Sequence, residues 1–480
     1  MNFYVTTSIP YVNGPPHLGH AMEFLMADVL ARQARIQGKN TIFSIGTDEH
    51  GGKIDEKAKK LGVDTKEFVD DISKQFSDLA KTLNISNDRF IRTTDPDHEK
   101  TAQQIWLALK DDIYKSKYTG WYCTGDEAFF TEAVVKANNG ICPSHNRPYD
   151  KVEEENYFFK LSKYNSRILE AIESNELKII PKTKRNEILQ VIRDGLDDIS
   201  ISRPKDKITW GINVPNDDNQ VMYVWFEALL NYITVLKYPE GEDFKDFWPA
   251  NIQVIGKDIL RFHAAIWPGI LLSLNLPLPQ MLYVHGFINV DNQKMSKSLN
   301  NSIDPLEIVN KYGVDAFRYF FLRHIPSYGD GDFSWNKIDL AYHGELGNEL
   351  GNAVQRTLVM IQNYLDGELP NTEINNDNFK IIEDLISQCK FDRSFDEIWT
   401  HVKSLNQYIE NEKPWVLYKN NELEKLKTIL NKQVDQIRNI AKCLEPLLPD
   451  TSDKINKIFS SSKVNIPSTT LFPRLDKDKI

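Results

Sequence analysis

The first fifty residues switch hydrophobic period twice, and that switch restricts the fold more than any other feature of the chain. Asn2 to Ile9, centred on Phe3-Tyr4-Val5-Thr6-Thr7, is β-rich, and Asn13-Gly14-Pro15-Pro16 is a turn. Leu18 to Ile36 then carries Leu18, Met22, Leu25, Met26 and Leu30 at helical spacing and stops before Gly38. Thr41 to Ile45 is strand-like again. Strand, helix and strand in this order predict a parallel sheet with crossover helices, an α/β fold.

The same rhythm resumes at Val221. A helix from Trp225 to Leu236, a strand Ile252 to Ile255, a helix through His263 and a strand Met281 to Val284 follow in turn. Between the two halves, Tyr118 to Ile212 has a different texture, with Cys123, Cys142, aromatic residues and scattered charges; it reads as an insertion. Asp304 and Pro305 suit the cap and first position of a further helix. From about Asp339 onward the pattern is almost all helical, which predicts a separate helical bundle. The expected divisions are 1–117, 118–212, 213–285, 286–338 and 339–480.

Composition bounds the class. The chain has 480 residues, 41% hydrophobic and 26% charged, which is ordinary for a folded protein. No apolar run reaches the roughly 18 to 20 residues that span a bilayer, and Ile266 to Leu278 is broken by Pro268 and Pro277. The N-terminus shows no basic region followed by an apolar core, so no secretory signal is expected. Four cysteines suit a reducing compartment, and Cys389 and Cys443 read as buried thiols. A cytoplasmic location is the expectation. The net charge of −10 neither indicates nor excludes nucleic acid, because local basic faces matter more than the sum.

Two strings carry chemistry. His17-Leu18-Gly19-His20 follows the Asn-Gly-Pro-Pro turn, so both imidazoles fall at a helix start, where unpaired N–H groups and the dipole favour an anion. Gly19 leaves room for a nucleotide against the backbone. Lys294-Met295-Ser296-Lys297-Ser298 lies in a polar loop after a strand, and its ammonium groups can stabilise charge on a leaving pyrophosphate. A lone H-x-G-H is more often a plain helix start, and a bare K-x-x-K a solvated loop. Together, on two halves of one sheet, they describe a site that handles the triphosphate of ATP from two sides.

The pair resembles the class I aminoacyl-tRNA synthetases. Ser8 to His20, Gly46-Thr47-Asp48-Glu49-His50-Gly51, Asp198 to Arg203, Tyr223-Val224-Trp225 and Ile255-Gly256-Lys257-Asp258-Ile259 resemble the methionyl-tRNA synthetases in order and spacing, over essentially the whole chain. The resemblance implies a Rossmann-type parallel-sheet catalytic domain, an inserted connective domain and an all-α anticodon-binding bundle. It implies methionine activation by ATP with Mg2+, then transfer to the terminal adenosine of tRNA(Met), with His17, His20, Lys294 and Lys297 as the catalytic set. Gly19, Gly256, Asp258, His285, Gly286 and Ser298 are implied on the ATP side.

The implied methionine pocket is Ile9, Tyr11, Asp48, Trp225, Ala228, Leu229, Tyr232, Ile259 and His263. Asp48 would pair with the substrate ammonium. The apolar set would enclose the thioether, with Tyr11 or His263 as weak donors to sulfur. Without the resemblance, Trp225 to Tyr232 reads as a plain core helix.

In the insertion, relatives present a zinc knuckle of four Cys or three Cys and a His. Here the set is Cys123, Asp126, Cys142 and His145; Asp can ligate zinc, and a vestigial knuckle held by packing is the alternative. In the bundle, Asn352, Arg356 and Trp415 fall on the positions that read the anticodon, where a Trp can stack on an unpaired base. The nearest rivals are other class I synthetases, but the roughly 95 residues from Tyr118 to Ile212 are too few for the editing insertion of the valine, isoleucine and leucine enzymes, and no Cys lies near the pocket positions, as the cysteine enzyme would need. A smaller nucleotidyltransferase without tRNA is disfavoured by the helical tail, and a non-catalytic RNA-binding paralogue by the intact phosphate strings and Asp48. The chain ends shortly after the bundle, without the C-terminal dimerising domain of many relatives, so a monomer is expected.

Overall fold

The computed structural model describes residues 1–125, 128–130, 132–143, 146–294, 302–369, 379–460, 462–464 and 466–475. The chain groups into two compact units. One comprises Met1–Pro15, Ile42–Asp78 and Asn87–Val284; the other comprises Pro16–Thr41, Leu79–Ser86 and His285–Ile480.

The first unit is organised by a six-stranded sheet in the order Arg89–Arg92, Asn40–Thr47, Asn2–Thr7, Ile252–Gly256, Met281–His285 and Lys178–Ile180. Val5 pairs with Ile252, Ser44 with Arg89 and Met281 with Lys178, all in parallel. Ile252–Gly256 and Met281–His285 are buried at every position, as parallel strands covered on both faces must be. Gly46 permits a close approach between strands: a Cβ there would stand 2.2 Å from the Ile91 carbonyl oxygen of the neighbouring strand.

The insertion starts earlier than its texture suggests. Ile113–Cys123 is one continuous strand, antiparallel to Asp150–Phe159, so the expected boundary at 118 falls inside a ladder that runs from Ile113 to Tyr122. The segment 118–212 is also not self-contained. Lys178–Ile180 adds an edge strand to the parallel sheet, and Ser202–Pro204 pairs with Asp217–Met222 across the other boundary.

Two helices depart from simple periodicity. The expected helix Trp225–Leu236 is split into Val224–Leu229 and Asn231–Thr234, because Asn231 Nδ2 donates to the Ala228 carbonyl at 2.6 Å and satisfies it from a side chain. The helix through His263 opens with a π-helical turn, Phe262–Ile266. His263 Nδ1 bonds the Ile259 carbonyl at 3.0 Å, and Pro268, in the first turn of the helix that follows, has no N–H to give.

The second unit is mainly helical. Helix Leu18–Ile36 contacts helices Val314–Arg323 and Phe379–Ser387 of this unit, rather than belonging to one compact body over 1–117. Asp304 caps Pro305–Tyr312 by accepting from the Leu306 N–H at 2.9 Å. The long helices Phe391–Glu412 and Leu423–Leu444 bury Ile398, Val402, Leu405 and Ile409 against a matching row of Leu426, Leu430, Val434, Ile437 and Ala441. Ala341–Gly351 is π-helical and runs into Asn352–Tyr364. Among the described residues no helix is long and apolar enough to cross a membrane.

Candidate active site

The two histidines of the first string hold each other and the helix start. His17 is the N-cap of Leu18–Ile36; its Nδ1 accepts the Gly19 N–H at 3.1 Å, and the His17 N–H is donated to His20 Nδ1 at 3.3 Å. This is a capping box built from imidazoles. A ring that accepts at Nδ1 carries its proton on Nε2. The rings lie stacked, 3.7 Å between centroids at 21°. Both rings thus carry their proton on Nε2 and lie half-exposed at a helix N-terminus, a setting that favours anions.

His285 has a different task. Its ring is buried, with Nε2 2.8 Å from Glu23 and Nδ1 2.8 Å from the Gly286 carbonyl, so both nitrogens are engaged inside the protein. A Cβ on Gly286 would stand 1.9 Å from the Gly329 carbonyl oxygen; the glycine serves chain packing. Lys294 lies on the short strand Gln293–Lys294, while Lys297 and Ser298 lie outside the described residues.

In the first unit several of the expected pocket residues pack on one core. Past the carboxyl ends of Asn2–Thr7 and Asn40–Thr47 the chain is clasped to itself: Asp48 N–H donates to the Pro10 carbonyl at 2.8 Å, and Val12 N–H to the Asp48 carbonyl at 3.0 Å. The ends of parallel strands are where such folds bind ligands. Ile9, Tyr11, Trp225 and Ile259 pack, half-buried, on a core that includes Leu229 and Tyr232. Trp225 stacks on Phe262, 4.0 Å apart at 16°; Phe262 carries the wall on and was not among the expected residues. Gly256, buried, ends its strand, and Asp258 is exposed just beyond it.

The expected donation from His263 to sulfur is not what the geometry offers. Burial pushes the His263 pKa down to about 4, so the ring is neutral. Its Nδ1–H goes to the Ile259 carbonyl, which leaves Nε2 to accept the Tyr232 hydroxyl at 2.6 Å. His263 therefore orients Tyr232 and keeps this side of the pocket apolar.

Periodicity did not reveal the buried charge behind the wall. Glu227 is fully buried, with Oε1 2.9 Å from His50 Nδ1 and Oε2 3.0 Å from His98 Nε2. His98 Nδ1 is 2.8 Å from Thr234 Oγ1. Burial opposes both charges most strongly. Even so, Glu227, Glu99 and Asp48 raise His50 to about 10, and the two histidines hold Glu227 below the usual carboxylate range. An acid inside Val224-Trp225-Phe226-Glu227-Ala228-Leu229 was the available signal.

Farther along the chain, Cys123 and Cys142 are buried in one small cluster with Val135 and Tyr149; Asp126 and His145 lie outside the described residues. In the helical unit, Arg356 and Trp415 do meet. The guanidinium stands 5.6 Å from the Trp415 ring centre and is held by Glu410 at 2.7 Å, with Asn352 exposed one turn away. Trp415 is 37% exposed.

Comparison with known proteins adds three findings. The family model for tRNA synthetases class I (M) matches residues 3–154 and 146–358. A methionine–tRNA ligase of Caldanaerobacter subterraneus subsp. tengcongensis is 42% identical over 513 residues, covering 99% of this chain and 79% of that protein, and one of Thermotoga maritima is 39% identical, covering 95% and 75%. The solved Mycobacterium tuberculosis methionyl-tRNA synthetase in complex with methionyl-adenylate superposes with a TM-score of 0.92 at 35% identity, over 99% of this chain and 100% of that one.

Proposed function

The chain belongs to the methionyl-tRNA synthetases, and from that premise we propose how its own residues divide the work of a methionine–tRNA ligase. The reaction has two steps. The methionine carboxylate attacks the α-phosphorus of ATP, a new O–P bond forms, and pyrophosphate leaves with the electrons of the broken P–O bond. A ribose hydroxyl of the terminal adenosine of tRNA(Met) then attacks the acyl carbon, and AMP leaves.

In this reading Asp48 receives the substrate ammonium, and Ile9, Tyr11, Trp225, Ala228, Leu229, Tyr232, Ile259 and His263 enclose the thioether. The observation that carries it is the backbone clasp of Asp48 to Pro10 and Val12, beside an apolar wall on one continuous core. His17 and His20 donate from Nε2 to phosphate oxygens. Lys294 and Lys297 take up the charge that grows on the leaving pyrophosphate, with Ser298 beside them; Gly19, Gly256 and Asp258 line the nucleotide, and His285 and Gly286 shape its adenine side from behind. Catalysis is positioning and charge stabilisation.

Mg2+ is read as arriving with ATP, bound mainly by its phosphates. Zinc is a different matter. Among the described residues the cluster around Cys123 and Cys142 buries Val135 and Tyr149, with Trp121 and Phe130 packed partly buried against it, a small core that a bound zinc would reinforce. Cys123, Cys142, Asp126 and His145 would hold a structural zinc there. The purified protein is expected to carry about one zinc per chain. No stoichiometric zinc, with stability indifferent to chelator, overturns this assignment.

Asn352, Arg356 and Trp415 are read as contacts to the anticodon of tRNA(Met). A cytoplasmic, reducing location fits cysteines that form no disulfide among the described residues. The experiment compares two assays on wild type and Trp415→Ala. Wild type shows methionine-dependent ATP–pyrophosphate exchange and methionylates tRNA. The variant keeps exchange within about twofold and loses on the order of ten- to a hundredfold in tRNA charging, the worth of one stacked base. Equal losses in both assays would place Trp415 in the general packing instead.

A further inference from the structure

Glu227 stands on a helix whose neighbouring positions face the core, yet it is ionised and enclosed. Its oxygens lie 2.9 Å from His50 Nδ1 and 3.0 Å from His98 Nε2, and Thr234 ties His98 from the far side at 2.8 Å. His50 shares the Asp48 loop. The charged groups that face it are three acids: Glu227 from helix Val224–Leu229, Glu99 from helix Pro96–Ala108 at 3.7 Å, and Asp48, which acts on the ring through its charge. The Trp210 ring lies beside it at 5.8 Å, and its Nε1–H donates to the Glu49 carbonyl at 2.6 Å, pinning the same loop.

This arrangement creates a conflict. His50 is a buried cation two residues from the carboxylate that must neutralise a second cation, the substrate ammonium. One carboxylate in a poorly solvated pocket serves only one of them well. We propose that Glu227 is a positioning residue for methionine selection: by engaging His50 from the helix side, it reserves the Asp48 carboxylate for the ammonium group of the substrate. The same contact ties the Asp48 loop to the helix of Trp225, Ala228 and Leu229, so the ammonium site and the apolar wall keep a fixed spacing. The inference rests on Asp48 as the ammonium partner.

The test is steady-state exchange with the full chain, measuring the KM for methionine and for ATP at pH 6.0, 7.0 and 8.0. Glu227→Gln keeps the shape and removes the charge. At pH 6.0, the lowest of the three, His50 carries the most charge and turns to Asp48, so the methionine KM rises at least about tenfold over wild type while the ATP KM stays within about twofold. Without its main counter-charge the His50 pKa falls toward its ordinary value, so the ring loses its proton as the pH rises and the methionine defect shrinks toward pH 8.0. Glu227→Asp keeps the charge and keeps the variant-to-wild-type ratio flat with pH. His50→Gln/Glu227→Gln removes competitor and keeper together and abolishes the pH slope, which also covers the case in which Glu227→Gln alone folds poorly. A defect in Glu227→Gln that is independent of pH, or shared equally by the two KM values, overturns the proposal. Asp48→Asn serves as the reference. If it raises the methionine KM while Glu227→Gln does not, the inference fails and the reading of Asp48 stands; if Asp48→Asn leaves that KM unchanged, both fail.

Discussion

Replacing His20 with alanine is expected to lower the kcat of methionine-dependent ATP–pyrophosphate exchange by roughly two to three powers of ten, the usual loss on removing one aimed donor from a site where charge develops. The KM for methionine should move by no more than a few fold, because none of the side chains assigned to the amino acid pocket belongs to this string. The direction follows from the tautomer. His20 Nδ1 accepts the His17 N–H, so the ring's proton is on Nε2, the atom that the proposed role turns toward phosphate. His17→Ala removes the other stacked ring and also the acceptor for Gly19 N–H. It should add a capping loss of about 1 kcal/mol to a similar kinetic defect. Comparing unfolding midpoints with exchange rates separates the two effects. A His20→Ala enzyme that retains more than about a fifth of the wild-type kcat would remove this histidine from the phosphate contacts.

Much of the framework around the candidate site was legible in the sequence, for reasons that can be located. Helix Leu18–Ile36 has the expected bounds because a turn, a cap and a following Gly38 mark its ends locally. The pocket set came from motif order, and Ile9, Tyr11, Trp225, Ile259, Leu229 and Tyr232 do share one core. What stayed hidden is whatever depends on a distant partner. Glu227 looks like an intruder in a core helix until His50 and His98 arrive from 177 and 129 residues away. The break in helix Trp225–Leu236 is made by a single side-chain amide, Asn231, reaching back to Ala228, which apolar spacing cannot show. Tyr11 or His263 was the expected weak donor to sulfur. The neutral state of His263 and its acceptor role toward Tyr232 follow from burial and a carbonyl four residues back, and neither appears in residue type alone. The insertion boundary missed for a related reason: the texture changes at 118, but the ladder begins at Ile113.

Replacing Asp28 with alanine is expected to be the most destabilising single change in the helical unit, by about 3 to 5 kcal/mol. Asp28 and Arg318 are both fully buried and meet at 2.8 Å. Asp28 also takes Arg32 Nε at 2.7 Å and, through its other oxygen, the N–H and hydroxyl of Ser86 at 2.7 and 2.6 Å. Arg318 spreads its remaining donors over the carbonyls of Leu447, Pro446 and Leu83, so helix Leu18–Ile36, the turn after residue 83 and the bundle meet at one guanidinium. Removing the acid leaves that cation buried with carbonyls alone. Removing both groups, as Asp28→Leu/Arg318→Met, should recover most of the loss, because the large term is the uncompensated charge rather than the missing attraction. The pH dependence supplies a separate check. Burial by itself raises the Asp28 carboxyl, but Arg318, Arg32 and Ser86 outweigh it and hold it below the usual carboxylate range. A depressed native value means the contribution is complete above the unfolded pKa of about 3.9 and fades as the pH falls through the native value. Denaturant unfolding at pH 7 and at pH 3.5 should therefore show a wild-type advantage over Asp28→Ala that is full at the first and smaller at the second. An advantage below about 1 kcal/mol at pH 7, or one that does not shrink in acid, would mean the pair adds nothing beyond its packing. Because the same helix carries His17 and His20 at its start, a partial defect in exchange should accompany the loss of stability in Asp28→Ala and be relieved in the double variant.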